Sequence, residues 1–366
     1  MKTALFYHSL VSDWNHGNAH FLRGIASELI ARGHEVAIYE PRSSWSAQNL
    51  FAEYGNAPFE EFARRFPHLR SVRFDLLELE RVLDAVDLVL VHEWNDPELV
   101  RRIGEHHRAA SRKYALLFHD THHRAITKPE EMQRYDLSNY DGVLAYGEAL
   151  RQVYSKRGVP AWTWHEAADI RVFYPRPRRD FDGDIVWIGN WGDEERTAEL
   201  RQFLIEPVRS LSLRAKVFGV RYPQHARGML HDAGIEYGGW VPNYRVPEIF
   251  ARYKLTLHVP RRPYVEQLHG IPTIRPFEAL ACGIPLICSP WNDAEHLFTP
   301  GRDFLVARDG SEMQKHIRAL LADKQMAREI AAHGLETIRA RHTCAHRLDE
   351  LMRIVQEVCA SAGVGR

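Results

Sequence analysis

The sequence predicts an α/β protein made of two Rossmann-like, doubly wound domains facing across a cleft, and three observations carry that prediction. Short buried-strand runs alternate with amphipathic helices in two successive series, the pattern of mostly parallel sheets. A proline- and charge-rich stretch, FYPRPRRDFDGD, separates the two series and reads as an exposed linker. The chain has 366 residues, more than a single core ordinarily organises. The expected domains are 1–170 and 171–346, with a last helix over 347–366 able to complete the first.

In the first series, TALFYHS (Thr3 to Ser9) is a strand followed by a polar loop. The next helix carries Phe21, Ile25 and Leu29 at a spacing of four and stops at Gly33, before a strand over Val36 to Tyr39. This βαβ opening lacks GxGxxG; its loop holds Gly17, Gly24 falls inside the helix, and Glu40 after the second strand is weak support for a nicotinamide site. Further strands are expected at Asp87 to Trp94, Tyr114 to Asp120, Gly142 to Gly147 and Ala161 to His165. The second series places strands at Asp184 to Gly189, Ala215 to Val220, Ile235 to Trp240, Leu255 to Val259, Leu286 to Ser289 and Phe304 to Ala307.

Composition narrows the function classes. Forty-eight basic side chains balance forty-eight acidic ones, so the overall charge gives no footprint for nucleic acid, and any anion site must be local. No run approaches the ~20 apolar residues of a membrane span, and the N-terminus lacks a signal-peptide h-region. The four cysteines form no CxxC pair; with the absent leader, this fits a reducing cytoplasm.

The stretch RPFEALACGIPLICSPW carries the clearest chemistry. A helix start over Thr273 to Pro276, with Glu278 in its first turn, offers free backbone N–H groups to phosphate and a carboxylate to hydroxyls. In the first half, His119 and Asp120 end a strand where a ligand-facing group is expected. The run HDTHH adds His122 and His123 but lacks the helical spacing that aims two histidines at one metal. Trp14, Trp94, Trp191, Trp240 and Trp291 fall in loops or at strand ends; packing is the leading explanation for each taken singly, and Trp191 and Trp240 are the best placed of them to stack on a base or sugar.

Five landmarks then occur in one order: HEAADIRVFYP, DIVWIGNWG, KVFGVRYP, YGGWVPNYRVPEIFARYKLTLHVPRR, and FEALACGIPLICSP followed by FTPGRDFLVARD. Together they resemble the C-terminal domain of GT-B glycosyltransferases, the group-one, family-four type and its spore-maturation-protein-like branch. The resemblance implies a metal-independent, retaining transferase without a cofactor. It would bind a nucleoside diphosphate sugar mainly on the C-terminal domain, and an acceptor (a glycan, small molecule or protein) on the N-terminal one. It further implies that Glu278 holds ribose hydroxyls and that Thr273, Ile274 and Arg275 lie at the diphosphate. Gly189, Asn190 and Trp191 would form the glycine-containing donor loop, Trp240, Val241 and Pro242 would lie beside the base, and Gly17 would approach the phosphates.

Two positions depart from the family pattern. Gly270 stands where a second glutamate would contact the donor sugar, and Glu266 is no assured substitute. Asn190 stands where an arginine is usual, which leaves Arg196, Arg221, Arg261 or Arg275 to supply positive charge. Arg275 and Arg221 are the preferred candidates for stabilising the leaving diphosphate, and His119 or Asp120 for positioning the acceptor or sugar. The alternatives are a nucleotide-sugar epimerase of the same architecture, a non-catalytic nucleotide-sugar-binding or assembly protein, and a two-domain dehydrogenase.

Overall fold

The computed structural model describes residues 1–177 and 180–361. Arg178 and Arg179 of the expected linker, and residues 362–366 of the expected last helix, lie outside the described residues. The chain divides into two compact units: Met1–Glu166 together with the chain from Cys344 onward, and Ala167–Thr343.

Unit 1 is built on a seven-stranded, all-parallel sheet in the order β3-β2-β1-β4-β5-β6-β7. The strands are β1 (Lys2–Phe6), β2 (Glu35–Pro41), β3 (Ser71–Phe74), β4 (Leu88–His92), β5 (Ala115–Asp120), β6 (Gly142–Ala145) and β7 (Ala161–Thr163). The central strands β4 and β5 are buried along their whole length, as expected for a sheet covered on both faces. β3 is absent from the sequence reading because SVRF is a short, half-exposed edge strand without a buried apolar run. The helix Ala19–Ala31 ends where Gly33 takes a left-handed φ of +79°. The helix Cys344–Ser361 belongs to this unit. Its Asp349 carboxylate accepts from Arg32 at 2.5 Å, and the Arg347 carbonyl accepts from the Trp164 indole at 2.8 Å.

Unit 2 has a six-stranded parallel sheet in the order β10-β9-β8-β11-β12-β13. Its strands are β8 (Gly183–Ile188), β9 (Ala215–Phe218), β10 (Ile235–Tyr237), β11 (Tyr253–His258), β12 (Leu286–Cys288) and β13 (Leu305–Val306). A core of Ile185, Trp187, Leu255, Leu257 and Ile287 fills the sheet, with Met313 and Ile317 from the helix Gly310–Ala322 packed against it. Both units reverse their direction of winding beside the first strand: between β1 and β4 in unit 1, and between β8 and β11 in unit 2. Loops diverge at such a switch point and leave a crevice beyond the carboxyl ends of the strands, where ligands of this sheet type bind.

Candidate functional site

At the switch point of unit 2, one guanidinium ties the two diverging loops together. Arg196 donates to the Trp191 carbonyl at 3.2 Å and to the Asn190 carbonyl after β8, and to the Val259 carbonyl at 3.0 Å after β11. Gly192 makes room for it: φ is +84°, and a Cβ there would stand 2.6 Å from Arg196 Nε. Burial, then the charge of Arg261, with a further contribution from Arg275, lowers the Arg196 pKa to about 9. His258, the last residue of β11, is pushed down to about 3 by burial and then by Arg196 and Arg275, so it is neutral at physiological pH. Its Nδ1 is buried without a hydrogen-bond partner, and its Nε2 lies 3.5 Å from the Thr273 hydroxyl.

Thr273 precedes the helix Ile274–Ala281 with φ +58°, a conformation unusual for a β-branched residue and concentrated at functional sites. The helix begins at Ile274, which places Glu278 in the second turn rather than the expected first. From there Glu278, 1% exposed, pairs with the Arg275 guanidinium, 17% exposed. Arg196, Arg261, Arg275, His258 and Thr273 therefore gather near one helix N-terminus. Arg261 pairs with Glu195 at 2.9 Å and Arg275 with Glu278. Arg196, held by carbonyls rather than carboxylates, combines with a neutral imidazole and backbone N–H groups to suit the helix start to an anion such as a diphosphate.

The other donor-side residues fall in different settings. The loop after β8 is held by the Asn190 side-chain oxygen, which accepts from Val220 N at 2.9 Å, and by the Gly189 carbonyl, which accepts from Tyr222 at 2.8 Å. Trp191 is 1% exposed, packs against Tyr222 at 5.6 Å and donates to Thr197 at 2.9 Å. Trp240 and Val241, in the segment after β10, are partly exposed, and the buried Pro242 leads into a short 3-10 turn. Arg221 forms an exposed ion pair with Asp193 at 3.1 Å. Gly270 has φ +90°, and a Cβ there would stand 2.8 Å from Glu295 Cγ and 2.9 Å from Glu295 Oε1. No side chain fits at Gly270 without displacement, and the carboxylate beside it comes from another loop.

In unit 1, His119 and Asp120, expected as ligand-facing groups, are fully buried. His119 packs against Trp164 at 4.8 Å and Phe21 at 6.0 Å, and burial pushes its pKa down to about 3. It ends a file of buried imidazoles, His8, His16, His92 and His119, with successive ring separations of 5.4, 5.7 and 5.6 Å. Asp120 accepts from the Tyr154 hydroxyl at 2.5 Å and from His122 N at 3.1 Å; burial, and then the Glu93 charge, raises its pKa. Glu93 accepts from Thr121 at 2.9 Å and from Arg124 at 2.8 Å. Gly17 is exposed just before the helix Ala19–Ala31. Glu40 is not free for a ribose: it accepts from Leu10 N at 2.6 Å and Ser71 Oγ at 2.7 Å. Trp14 and Trp291 are buried. Among the described residues, no group of three or more His, Cys, Asp or Glu side chains is placed to hold a metal ion, and no helix is long and apolar enough to cross a membrane.

Sequence reasoning missed His258 beside the cationic cluster and Glu295 beside Gly270. His258 carried a usable signal, because it ends the strand LTLHV just as His119 ends its own. Glu295 carried none, since only the folded loop brings it to Gly270.

A glycosyl transferase-like family model matches residues 196–353. Comparison with curated proteins found no match. Among solved structures, sucrose-phosphate synthase from Thermosynechococcus elongatus aligns with TM-score 0.66 at 16% identity, covering 99% of this chain and 100% of that one. Anabaena HepE, in complex with UDP and glucose, aligns with TM-score 0.66 at 14% identity, covering 97% and 99%. An alpha-glucosyltransferase in complex with UDP and a 13-mer DNA aligns with TM-score 0.67 at 10% identity, again over 97% and 99%. The chain thus has the two-domain GT-B fold of these structures.

Proposed function

We propose that the protein is a glycosyltransferase of the group-one, family-four type, with a nucleoside diphosphate sugar on unit 2 and the acceptor on unit 1. The observation that carries this reading is the cluster of Arg196, Arg261, Arg275 and His258 at the switch point of unit 2. In glycosyl transfer the bond from the anomeric carbon to the diphosphate oxygen breaks as the bond to the acceptor oxygen forms, and the acceptor's proton passes to the departing phosphate. Negative charge grows on that phosphate in the transition state, so cations fixed in a partly dry site lower the barrier. Arg196 is held by three carbonyls and needs little reorganisation to do this.

Arg275 is proposed to contact the diphosphate directly and Glu278 the ribose hydroxyls, with Thr273 and Ile274 supplying backbone donors. The cationic set supports a reaction that needs no divalent metal. Retention of the anomeric configuration rests on the family resemblance. UDP occurs in two of the compared structures, which makes UDP-sugars the first donors to try. The burial of His119 and Asp120 supports a role in holding the strand ends of unit 1 that position the acceptor side.

The test is thermal denaturation with UDP-, GDP-, ADP- and dTDP-sugars, with and without a chelator. One donor should raise the melting temperature by mass action, and Arg196→Met should weaken that effect at least tenfold. A donor-induced shift that Arg196→Met leaves intact would remove the cluster from the site.

A further inference from the structure

The sheet of unit 1 ends on one side in β3, and a groove of about 510 Å³ lies between that edge strand and the helix Ala57–Arg65. Phe59, Phe62, Ala63 and Phe66 recur at i, i+3, i+4 and i+7, so one stripe of the helix forms the first wall. Phe62 and Phe66 are buried with their rings 5.1 Å apart, whereas Phe59 is half-buried and Ala63 exposed. The wall therefore stays open above an apolar floor. Leu69, Arg70 and Arg73 belong to the opposite wall.

That strand wall presents main-chain groups. The Phe74 carbonyl accepts from Arg42 N at 2.8 Å and so faces β2. Backbone groups alternate sides along a strand, which turns the N–H and C=O of Ser71 and Arg73 to the outer edge. Val72 between them is 53% exposed, and among the described residues no strand pairs on that side.

Charge selects what can pair there. Among the described residues no carboxylate lines the groove, since Glu60 and Glu61 fall off the groove-facing stripe of the helix. The buried Glu40 answers Arg73 at 3.1 Å. Arg70 is exposed and, among the described residues, has no carboxylate within ion-pairing distance; the same holds for Arg64 and Arg65 in the last turn of the helix. Two copies of β3 paired about a two-fold axis would bring Arg70 and Arg73 of one copy beside those of the other, and like charges across a strand pair are destabilising. The edge thus disfavours its own copy and favours an acidic strand.

We propose that the outer edge of β3 docks an extended acidic segment of a partner protein. The segment adds as a further strand on Ser71 and Arg73, sets apolar side chains against Phe59 and Ala63, and turns carboxylates toward Arg70. This interaction goes beyond the glycosyl-transfer reading and does not depend on it.

Selection of a displayed library of random dodecapeptides on the full chain tests it. Enriched peptides should carry aspartate or glutamate beside apolar residues. Made synthetically and measured by fluorescence anisotropy, they should bind at least about tenfold more weakly to Arg70→Glu and to Ala63→Trp, which fills the groove. Both positions are exposed, and an unchanged melting temperature verifies that each variant folds. Proline within the apolar part of the peptide should weaken binding by about tenfold as well, because strand addition uses the main-chain N–H.

The proposal is overturned if no peptide enriches, if the enriched peptides are basic or uncharged, or if binding is unchanged in either variant or by the proline. Dimerisation in sedimentation that Ala63→Trp abolishes would give the edge to a second copy. Flotation with phosphatidylserine vesicles that Arg70→Glu abolishes would give it to a membrane surface. Either result also overturns the proposal.

Discussion

Replacing Glu278 by glutamine separates two roles that the structure allows for that carboxylate. It is 1% exposed and paired with Arg275, so it either holds ribose hydroxyls or only positions the arginine. Removing its charge has two opposing effects on a nucleotide. The loss of hydrogen bonds between ribose and a desolvated carboxylate costs about 1.5–3 kcal/mol each. Against that, deleting one negative charge ~8–10 Å from a phosphate gains about 2 kcal/mol per phosphate charge at an effective dielectric of ~20. The second effect acts equally on UDP and on inorganic pyrophosphate, whereas the first acts on UDP alone. The ratio of their dissociation constants therefore isolates the ribose contribution and should shift against UDP by about tenfold or more. Calorimetric titration of both ligands into wild type and Glu278→Gln measures it. An unchanged ratio would refute the ribose assignment and leave Glu278 as a partner of Arg275. The variant should also lose about 3 kcal/mol of stability, the lower end for breaking a buried pair, because Arg275 keeps some contact with water.

Three further outcomes are expected. The imidazoles of His8, His119 and His258 protonate near pH 6.5 when unfolded but only at about 4, 3 and 3 when folded. Their contribution is whole above pH 6.5 and is lost progressively as pH falls toward the folded values. At pH 5 that is about 2 kcal/mol per group, so a melting temperature unchanged between pH 7.5 and 5 would contradict it. Gly270→Ala should destabilise unit 2 by about 1–3 kcal/mol, since it combines a φ of +90° with a 2.8 Å clash against Glu295; urea unfolding measures it. Tyr154→Phe removes the hydroxyl donor from Asp120 and should cost about 1–3 kcal/mol in the same assay.

The legible parts of this fold were those where local chemistry and tertiary context agree. Strands such as LVLVH and ALLFHD are buried on both faces, so their apolar runs announce them, and Gly33 and Gly283 mark helix ends by the left-handed turn they permit. β3 escaped because an edge strand such as SVRF needs no apolar run. At the candidate site, the cationic helix start was readable in Thr273 to Glu278, but which arginine serves it was not. Arg196 comes from a loop far upstream, and it is recruited by carbonyls that meet only because β8 and β11 pair side by side. Burial was the other hidden variable. The positions of His119, Asp120 and Trp191 at strand ends suggested ligand contact, yet each is closed off by residues distant in sequence, such as Trp164, Tyr154 and Tyr222.

The central claim is transfer of a sugar from a nucleoside diphosphate, and its most direct measurement is nucleoside diphosphate release by the full chain, donor by donor, with product analysis. The account predicts that one donor is consumed, that an acceptor accelerates the release, and that an anomer-retained glycoside accumulates. Donors that all remain intact, neither hydrolysed nor transferred in a screen of glycan, small-molecule and protein acceptors, would contradict it.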